Sequence, residues 1–191
     1  AVAATIPAGI ILTLVTPAGI ARFAVGIYAL SLLALYSTSA SYHLFTRSLK
    51  GQQIMQQLDH AMVYVLIAGS YTPVCLLALP RKVGVPFLLF IWLAAAVGMG
   101  LKITWKAKRV GHALYLIIGW AALVILPWAY HRAGFTSLLL YALGGIVYTI
   151  GAVLFYMQKP KLSPEIFGFH EIWHVFTVIA GILQFAGVGV L

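Results

Sequence analysis

Acidic residues are nearly missing from this chain, which has three Asp or Glu among 191 residues. Only 8% of its residues are charged, whereas about a quarter of a typical soluble domain is charged. Such a chain has too few charged side chains for the surface of a soluble domain. The chain also has a single cysteine, Cys75, which excludes a disulfide bond within these 191 residues. The sequence therefore excludes an ordinary soluble enzyme and a disulfide-stapled secreted module.

Apolar residues make up 63% of the sequence. The mean hydropathy of +1.03 is typical of a polytopic membrane protein. The twelve Lys and Arg give a net charge of +9, which in a soluble protein would suggest nucleic acid. Here the basic residues lie in short loops between apolar runs, a pattern that reflects membrane topology and anionic headgroups. We expect membrane lipids and no nucleic acid as partners.

Seven apolar runs predict an all-α bundle of seven transmembrane helices in a single domain over residues 1–191. All but the first approach the span of about 20 residues that a bilayer requires. The first run is short and contains Pro7. Because the chain opens on Ala1 without a methionine, we expect this start to be a trimmed boundary. The runs cover residues 1–15, 25–45, 61–79, 85–103, 112–130, 136–156 and 172–191.

The distribution of basic residues predicts which ends of the helices face the cytoplasm. The loops after predicted helices 2, 4 and 6 carry eight, namely Arg47, Lys50, Lys102, Lys106, Lys108, Arg109, Lys159 and Lys161. The loops after helices 1, 3 and 5 carry four, namely Arg22, Arg81, Lys82 and Arg132. The positive-inside rule therefore predicts a cytoplasmic N-terminus and an external C-terminus.

The most specific motif is HEIWH at residues 170–174, at the start of the last apolar run. In a helix, residues four apart share a face, so His170 and His174 are spaced to bind one metal ion. The letters also match H-E-x-x-H, the signature of zinc proteases, which take their third ligand downstream. Residues 175–191 contain no His, Asp, Glu or Cys, and Glu171 is turned about 100° from its neighbour. We therefore discount a protease.

Other polar residues are predicted at the same membrane depth as this motif. His43 lies near the end of helix 2 with Ser39 one turn deeper, and helix 3 is expected to begin just after Asp59. Three imidazoles predict a zinc site with ligands His43, His170 and His174 and a water in the fourth position. Asp59 would bond that water and take its proton, because zinc lowers the pKa of bound water to about 7.

Each of these residues also has a plainer interpretation. Asp59 would instead cap helix 3 at its positive N-terminal end, a role that is compatible with binding the water. Ser39 is either a supporting residue of the site or a hydroxyl bonded to its own helix backbone. Histidines at helix ends are commonly interfacial residues, which is the interpretation that we favour for His112. His60 is expected to be structural, and His131 should lie near the opposite membrane face.

Two further features concern helix geometry. Pro73, which follows Ser70-Tyr71-Thr72, predicts a kink in helix 3 with neighbouring hydroxyls taking up freed backbone groups. The glycines of helix 6 predict close approach to another helix, and they are Gly144, Gly145 and Gly151.

Four motifs in order resemble the hemolysin III family, the bacterial branch of the progestin and adipoQ receptor superfamily. They are SASYHLF, LDHAMVYVLIAGSYTP, GGIVYTIGAVLFY and HEIWHVF. The resemblance covers essentially the whole chain and implies seven helices with the N-terminus inside. It also implies zinc held by His43, His170 and His174, with Asp59 contacting zinc-bound water and Ser39 in the same motif as His43. The polar segment that bacterial members carry before helix 1 is not part of this sequence.

The family implies three competing functions. Adiponectin receptors are linked to ceramide hydrolysis, and bacterial members to haemolysis and membrane-lipid homeostasis. The first function is an inner-membrane zinc hydrolase acting on a lipid amide or ester, with a ceramide-like or acyl-lipid substrate. The second is a non-enzymatic regulator in which zinc pins the helices. The third, a pore-forming cytolysin, is disfavoured because the sequence has no amphipathic inserting segment and few charges to line a channel.

Overall fold

The computed structural model describes residues 2–45, 48–103, 108–158 and 168–191. Within these ranges it omits the side chains of residues 43–45, 49, 103, 108–113, 170 and 171. The described chain is helical with short connections and contains no strand. Its helices are α1 Val2–Val15, α2 Ile20–Phe45, α3 Leu49–Pro73, α4 Arg81–Ile103, α5 Lys108–Trp120, α6 Ala122–Ala133, α7 Phe135–Met157 and α8 Phe169–Gly189.

Six stretches of the described chain are long and apolar enough to cross a membrane. The fourth runs through α5 and α6 together, and α1, with 14 residues, falls short of a full span. The prediction of an all-α polytopic membrane protein is confirmed. The count of seven helices and the cytoplasmic N-terminus stay predictions. The six stretches are Ile20–Tyr42, Lys50–Ala78, Arg81–Lys102, Leu114–Ala133, Phe135–Met157 and Ile172–Gly189.

The chain divides into two compact units, Ala1–Arg132 and Ala133–Leu191. The first contains α1 to α6, and the second is the antiparallel pair α7 and α8. Each unit has its own close helix contacts. The prediction of a single domain over residues 1–191 stays a prediction.

Helix α3 begins much earlier than its apolar run suggests. It starts at Leu49 rather than beside Asp59, and the Ser48 side chain caps it by accepting the Gly51 backbone N–H at 3.1 Å. The segment between is rich in glutamine, which is polar but a good helix former. The prediction that α3 begins just after Asp59 is therefore wrong, because the polar segment before Asp59 is helical and not a loop.

The predicted disruption at Pro73 takes the form of a π-helical turn at Val74–Ala78, directly after α3. Proline removes one N–H and crowds the preceding turn, and a π turn accommodates both effects. The Ser70 hydroxyl donates to the Ile67 carbonyl at 2.8 Å, and the Thr72 hydroxyl donates to the Ala68 carbonyl at 3.0 Å. These bonds lie in the turn before the proline and add partners to backbone carbonyls at membrane depth.

The fifth apolar run, expected as one helix, is two helices joined at Ala121. Two tighter i, i+3 bonds mark the junction, from the Ala121 N–H to Ile118 O at 3.2 Å and from the Val124 N–H to Ala121 O at 3.0 Å. Pro127 lies inside α6, beyond the junction. The apolar pattern carries no sign of this break.

Glycines set the closest helix approaches in the first unit. A Cβ at Gly69 of α3 would overlap the Ser31 side chain of α2, and one at Gly98 of α4 would overlap the Tyr64 ring of α3. Ser31 and Tyr64 are buried, so neither neighbour has room to retreat. Small residues are the usual means of helix association in membranes, because lipid gives apolar side chains no reason to leave it.

Two glycines on α4 offer a matched test of this packing. Gly98→Ala should lower the stability of the first unit by about 1–3 kcal/mol, because the added methyl meets the buried Tyr64 ring. Gly100→Ala places its methyl in open space and should change the stability by less than about 0.5 kcal/mol. Thermal unfolding in detergent micelles measures both, and equal stability losses would contradict this packing.

Candidate functional site

Asp59 is buried in the first unit, with 5% of its surface exposed. It lies ten residues after the first residue of α3, so it does not cap that helix. The capping interpretation is wrong, since Ser48 occupies the cap position. A carboxylate inside a membrane helix is costly and commonly marks a functional position. Asp59 therefore keeps its place as the candidate acid–base residue.

The neighbouring His60 is held by its own helix. Its Nδ1 lies 2.6 Å from the Gln56 carbonyl oxygen. Because a carbonyl only accepts, Nδ1 carries the proton and donates, which assigns the neutral ring to the Nδ1–H tautomer. The ring is thus oriented by the backbone one turn earlier, in keeping with the structural role predicted for it.

Ser39 and His43 are both within α2, which continues to Phe45. The helix therefore provides the four-residue spacing that puts these two positions on one face. Ser39 is half-buried. The side chain of His43 lies outside the described residues, so its role as a ligand stays a prediction.

The HEIWH motif lies in the first turns of α8, which begins at Phe169. His170 and His174 are therefore one helical turn apart, the arrangement that metal binding requires. His174 is half-buried, and its carbonyl accepts the Thr177 hydroxyl at 2.8 Å. The side chains of His170 and Glu171 lie outside the described residues.

Aromatic rings hold this part of α8 against α7 in the second unit. The ring centroid of Trp173, which is buried, lies 5.8 Å from that of Phe155 and 6.5 Å from that of Tyr148. Phe155 also contacts Phe169 at 5.6 Å. Offset aromatic pairs of this kind set the rotation of a helix about its axis. Trp173 thus anchors the motif, and His174 follows it by about 100° around α8.

The α7 glycines behave as predicted at two of three positions. A Cβ at Gly151 would overlap Phe176 of α8, and one at Gly144 would press on Gln184. At Gly145 no atom of the described residues lies within 4 Å of such a Cβ, so the α7–α8 pair shows no close approach at that position. Nearby, the buried Ser137 hydroxyl of α7 donates to the Gly187 carbonyl of α8 at 2.8 Å. Small residues and one interhelical hydrogen bond therefore hold the pair together.

Lys102 is a charged residue whose placement the sequence interpretation missed. The sequence predicts Lys102 in the loop after the fourth apolar run. In the structure it lies in the last turn of α4 with 7% of its surface exposed. Its ammonium lies 5.8 Å from the ring centroid of Tyr115 of α5, within range of a cation–π contact. The Tyr115 ring in turn meets Tyr64 of α3 edge to face at 6.0 Å. Lys102 lies four residues after Gly98, on the same face of α4, and this spacing is the feature of the sequence that indicates its burial.

The described residues do not test the complete ligand set. Among them, no three His, Cys, Asp or Glu side chains are close enough to hold a metal ion. Two of the three predicted ligands, His43 and His170, have side chains outside that set. The zinc site therefore stays a prediction from the sequence.

Six apolar spans among the described residues define a polytopic all-α membrane protein. The model of the haemolysin-III related family matches residues 1–185, so the chain belongs to that family. The family and the six spans together indicate a multi-pass integral protein of the bacterial plasma membrane.

Individual relatives agree with this assignment. The chain is 32% identical over 154 residues to the hemolysin-3 homolog of Bacillus subtilis, covering 80% of this chain and 69% of that protein. It is 32% identical over 164 residues to hemolysin-3 of Bacillus cereus, covering 83% and 70%. A more distant relative is the rice heptahelical transmembrane protein ADIPOR2, which is 25% identical over 192 residues, covering 91% and 83%. The predicted family resemblance is confirmed.

The aromatic anchor of α8 has a measurable consequence. Trp173→Ala should destabilise the α7–α8 pair by about 2–4 kcal/mol, because it leaves a cavity among the rings around Phe155. Val175→Ala, two residues away and 45% exposed, is the matched control and should cost less than about 1 kcal/mol. Denaturant titration followed by tryptophan fluorescence and circular dichroism measures both. Similar losses in the two variants would show that Trp173 is no anchor.

Proposed function

We propose that this protein binds zinc through His43, His170 and His174 and acts in membrane-lipid homeostasis. The observation that carries this proposal is the helical start of α8, which provides the one-turn spacing of the two histidines in its motif. The third histidine follows a serine at the same spacing in α2. The proposed orientation, with a cytoplasmic N-terminus, puts this site on the cytoplasmic side.

The donor set suits zinc. Imidazole nitrogens are common zinc ligands, and three protein ligands leave a fourth position open, as in catalytic rather than structural sites. A bound zinc ion supplies a Lewis acid that lowers the pKa of a coordinated water to near neutrality. Asp59, whose carboxylate is buried, is the residue that would accept and return a proton. Ser39 would support His43 from one turn deeper in α2.

The proposed reaction is hydrolysis of a lipid amide or ester, with ceramide-like and acyl lipids as the substrate class. Asp59 and His174 lie within candidate membrane spans, and His43 and His170 lie within two residues of a span end, so the proposed substrate is a lipid that reaches the site from the bilayer. The rice relative is named a heptahelical ADIPOR protein, and the resemblance to adiponectin receptors is the reason for choosing an amide lipid. A purely structural zinc that pins the helices is the alternative that the two experiments below separate.

The metal prediction is tested by elemental analysis of purified protein. Wild type should contain about one zinc per chain, since three histidines make one site. His43→Ala, His170→Ala and His174→Ala should each lose most of that zinc. His131→Ala, a change in α6 outside the proposed ligand set, is the control and should retain it. Zinc retained by all three site variants would reject the proposed ligands.

The catalytic prediction depends on Asp59→Asn, which keeps the shape of the side chain and removes its basicity. The variant should fold and retain zinc but lose about 10²- to 10⁴-fold in lipid hydrolysis, the usual contribution of a general acid–base group. Turnover of a fluorescent ceramide and acyl-lipid panel in zinc-loaded proteoliposomes measures this loss.

The control variant for this experiment is Gln53→Ala, an exposed position in the same helix, which should retain full turnover. Absence of turnover by wild type, with zinc bound, would reject the hydrolase and leave the structural zinc. Rapid, size-limited dye release from the same vesicles would instead support a pore.

A further inference from the structure

The junction between α5 and α6 is a helix break inside a membrane span. The span Leu114–Ala133 is apolar throughout, and the regular helix is interrupted only at Ala121. Gly119, two residues before it, has open space where a Cβ would lie, so this glycine is not required by packing. A glycine inside a helix lowers its stability by roughly 1 kcal/mol relative to alanine, which favours an interruption at this point.

Tyr71 of α3 supplies the hydrogen bond that this break needs. Its hydroxyl lies 2.9 Å from the Ile118 carbonyl oxygen and 2.8 Å from the Gly119 carbonyl oxygen. The single hydroxyl proton is thus shared between two carbonyls in the last turn of α5. In an unbroken helix these carbonyls would accept the N–H groups of residues 122 and 123 instead. The Tyr71 hydroxyl therefore takes the place of the missing helical bonds.

The position of Tyr71 is itself set by neighbouring helices. Its ring meets Phe87 of α4 edge to face at 5.8 Å. The next residue, Thr72, accepts the indole N–H of Trp92 of α4 at 3.4 Å. The π-helical turn of Val74–Ala78 follows directly. The Tyr71 ring is thus held where α3 passes into the π-helical turn, and its hydroxyl bonds the fourth span beside the break at Ala121.

We propose that Tyr71 is a latch that bends the fourth span at Gly119–Ala121 by holding its regular helical bonds open, and that this break is a hinge. When the hydroxyl bond is lost, the Ile118 carbonyl keeps the Ala121 N–H, whereas the Gly119 carbonyl must find another donor, because lipid offers none. The nearest donors are the N–H groups of the next turn, so the span closes its regular bonds and straightens. The α5 half carries Tyr115, which contacts Tyr64 of α3, so the hinge moves a contact beside the α3 segment that carries Asp59.

Tyr71→Phe tests the latch, because it removes one oxygen and keeps the ring against Phe87. Spin labels at Ile117 and Tyr130, both well exposed, report the shape of the span by pulsed electron resonance. The native Cys75 is 1% exposed and should not react with the label. Thirteen residues of straight helix separate the two Cα atoms by about 20 Å. The variant should shift the distance distribution from a shorter separation toward that value.

Two further variants sharpen the result. Tyr115→Phe makes the same chemical change within α5, away from the break, and should leave the distribution unchanged. Gly119→Ala should shift it in the same direction as Tyr71→Phe, because alanine favours the helix and its methyl has open space.

Three outcomes would overturn the proposal. One is an identical distribution in wild type and Tyr71→Phe, and another is an equal shift in Tyr115→Phe. The third is a Tyr71→Phe protein that fails to fold, because loss of a latch predicts a folded protein with a straightened span. The measurement is independent of zinc and of catalysis, so it stands whatever the proposed site does.

Discussion

Lipid hydrocarbon offers no partner to a backbone N–H or C=O group, and the described structure follows from this constraint. Helices satisfy these groups within the chain, and every irregularity needs a donor brought from elsewhere. At the end of α1, the Arg22 guanidinium donates to the carbonyls of Leu14 and Thr16 at 3.0–3.3 Å. At the end of α5 the Tyr71 hydroxyl does the same within the membrane. At these two places a side chain from elsewhere in the chain bonds the carbonyls of an ending helix.

The same solvent changes what holds the helices together. Moving an apolar side chain from lipid into a protein interface contributes little free energy. Close packing and interhelical hydrogen bonds therefore supply more of the stability. This explains why the tightest contacts involve glycine, as at Gly69 and Gly98, and why large apolar residues such as Leu93 remain exposed on α4. It also explains why Ser137 bonds the backbone of α8 across the helix pair. Packing of this kind sets the rotation of each helix, and rotation determines where its polar residues lie.

The sequence predicts the part of this structure that depends on composition and period. Apolar runs locate the spans, and HEIWH is recognisable as a helix start because its histidines precede an apolar run. The errors have a common cause, which is that hydropathy reports the environment and not the backbone. The glutamines before Asp59 are polar yet helical, so α3 begins at Leu49. The carbonyls of Ile118 and Gly119 beside the break accept the Tyr71 hydroxyl, which lies 47 and 48 residues upstream, and no local pattern contains such a contact. Hydropathy places Lys102 in a loop, whereas in the folded structure its side chain is buried.

The early start of α3 changes the meaning of Asp59. Ten residues of helix precede it, about 15 Å of rise, so it stands well inside the helix and not at a capped end. A capping carboxylate would be stabilised by the helix N-terminus and would need no other stabilising partner. Within the helix that stabilisation is lost, since it falls off beyond the first turn, while the cost of burying a charge remains. A buried carboxylate has to be compensated by hydrogen bonds, by protonation or by a cation, and the zinc ion that we propose would be such a cation. The early start of α3 thus excludes a capping role for Asp59, and its proposed role in proton transfer stays a prediction.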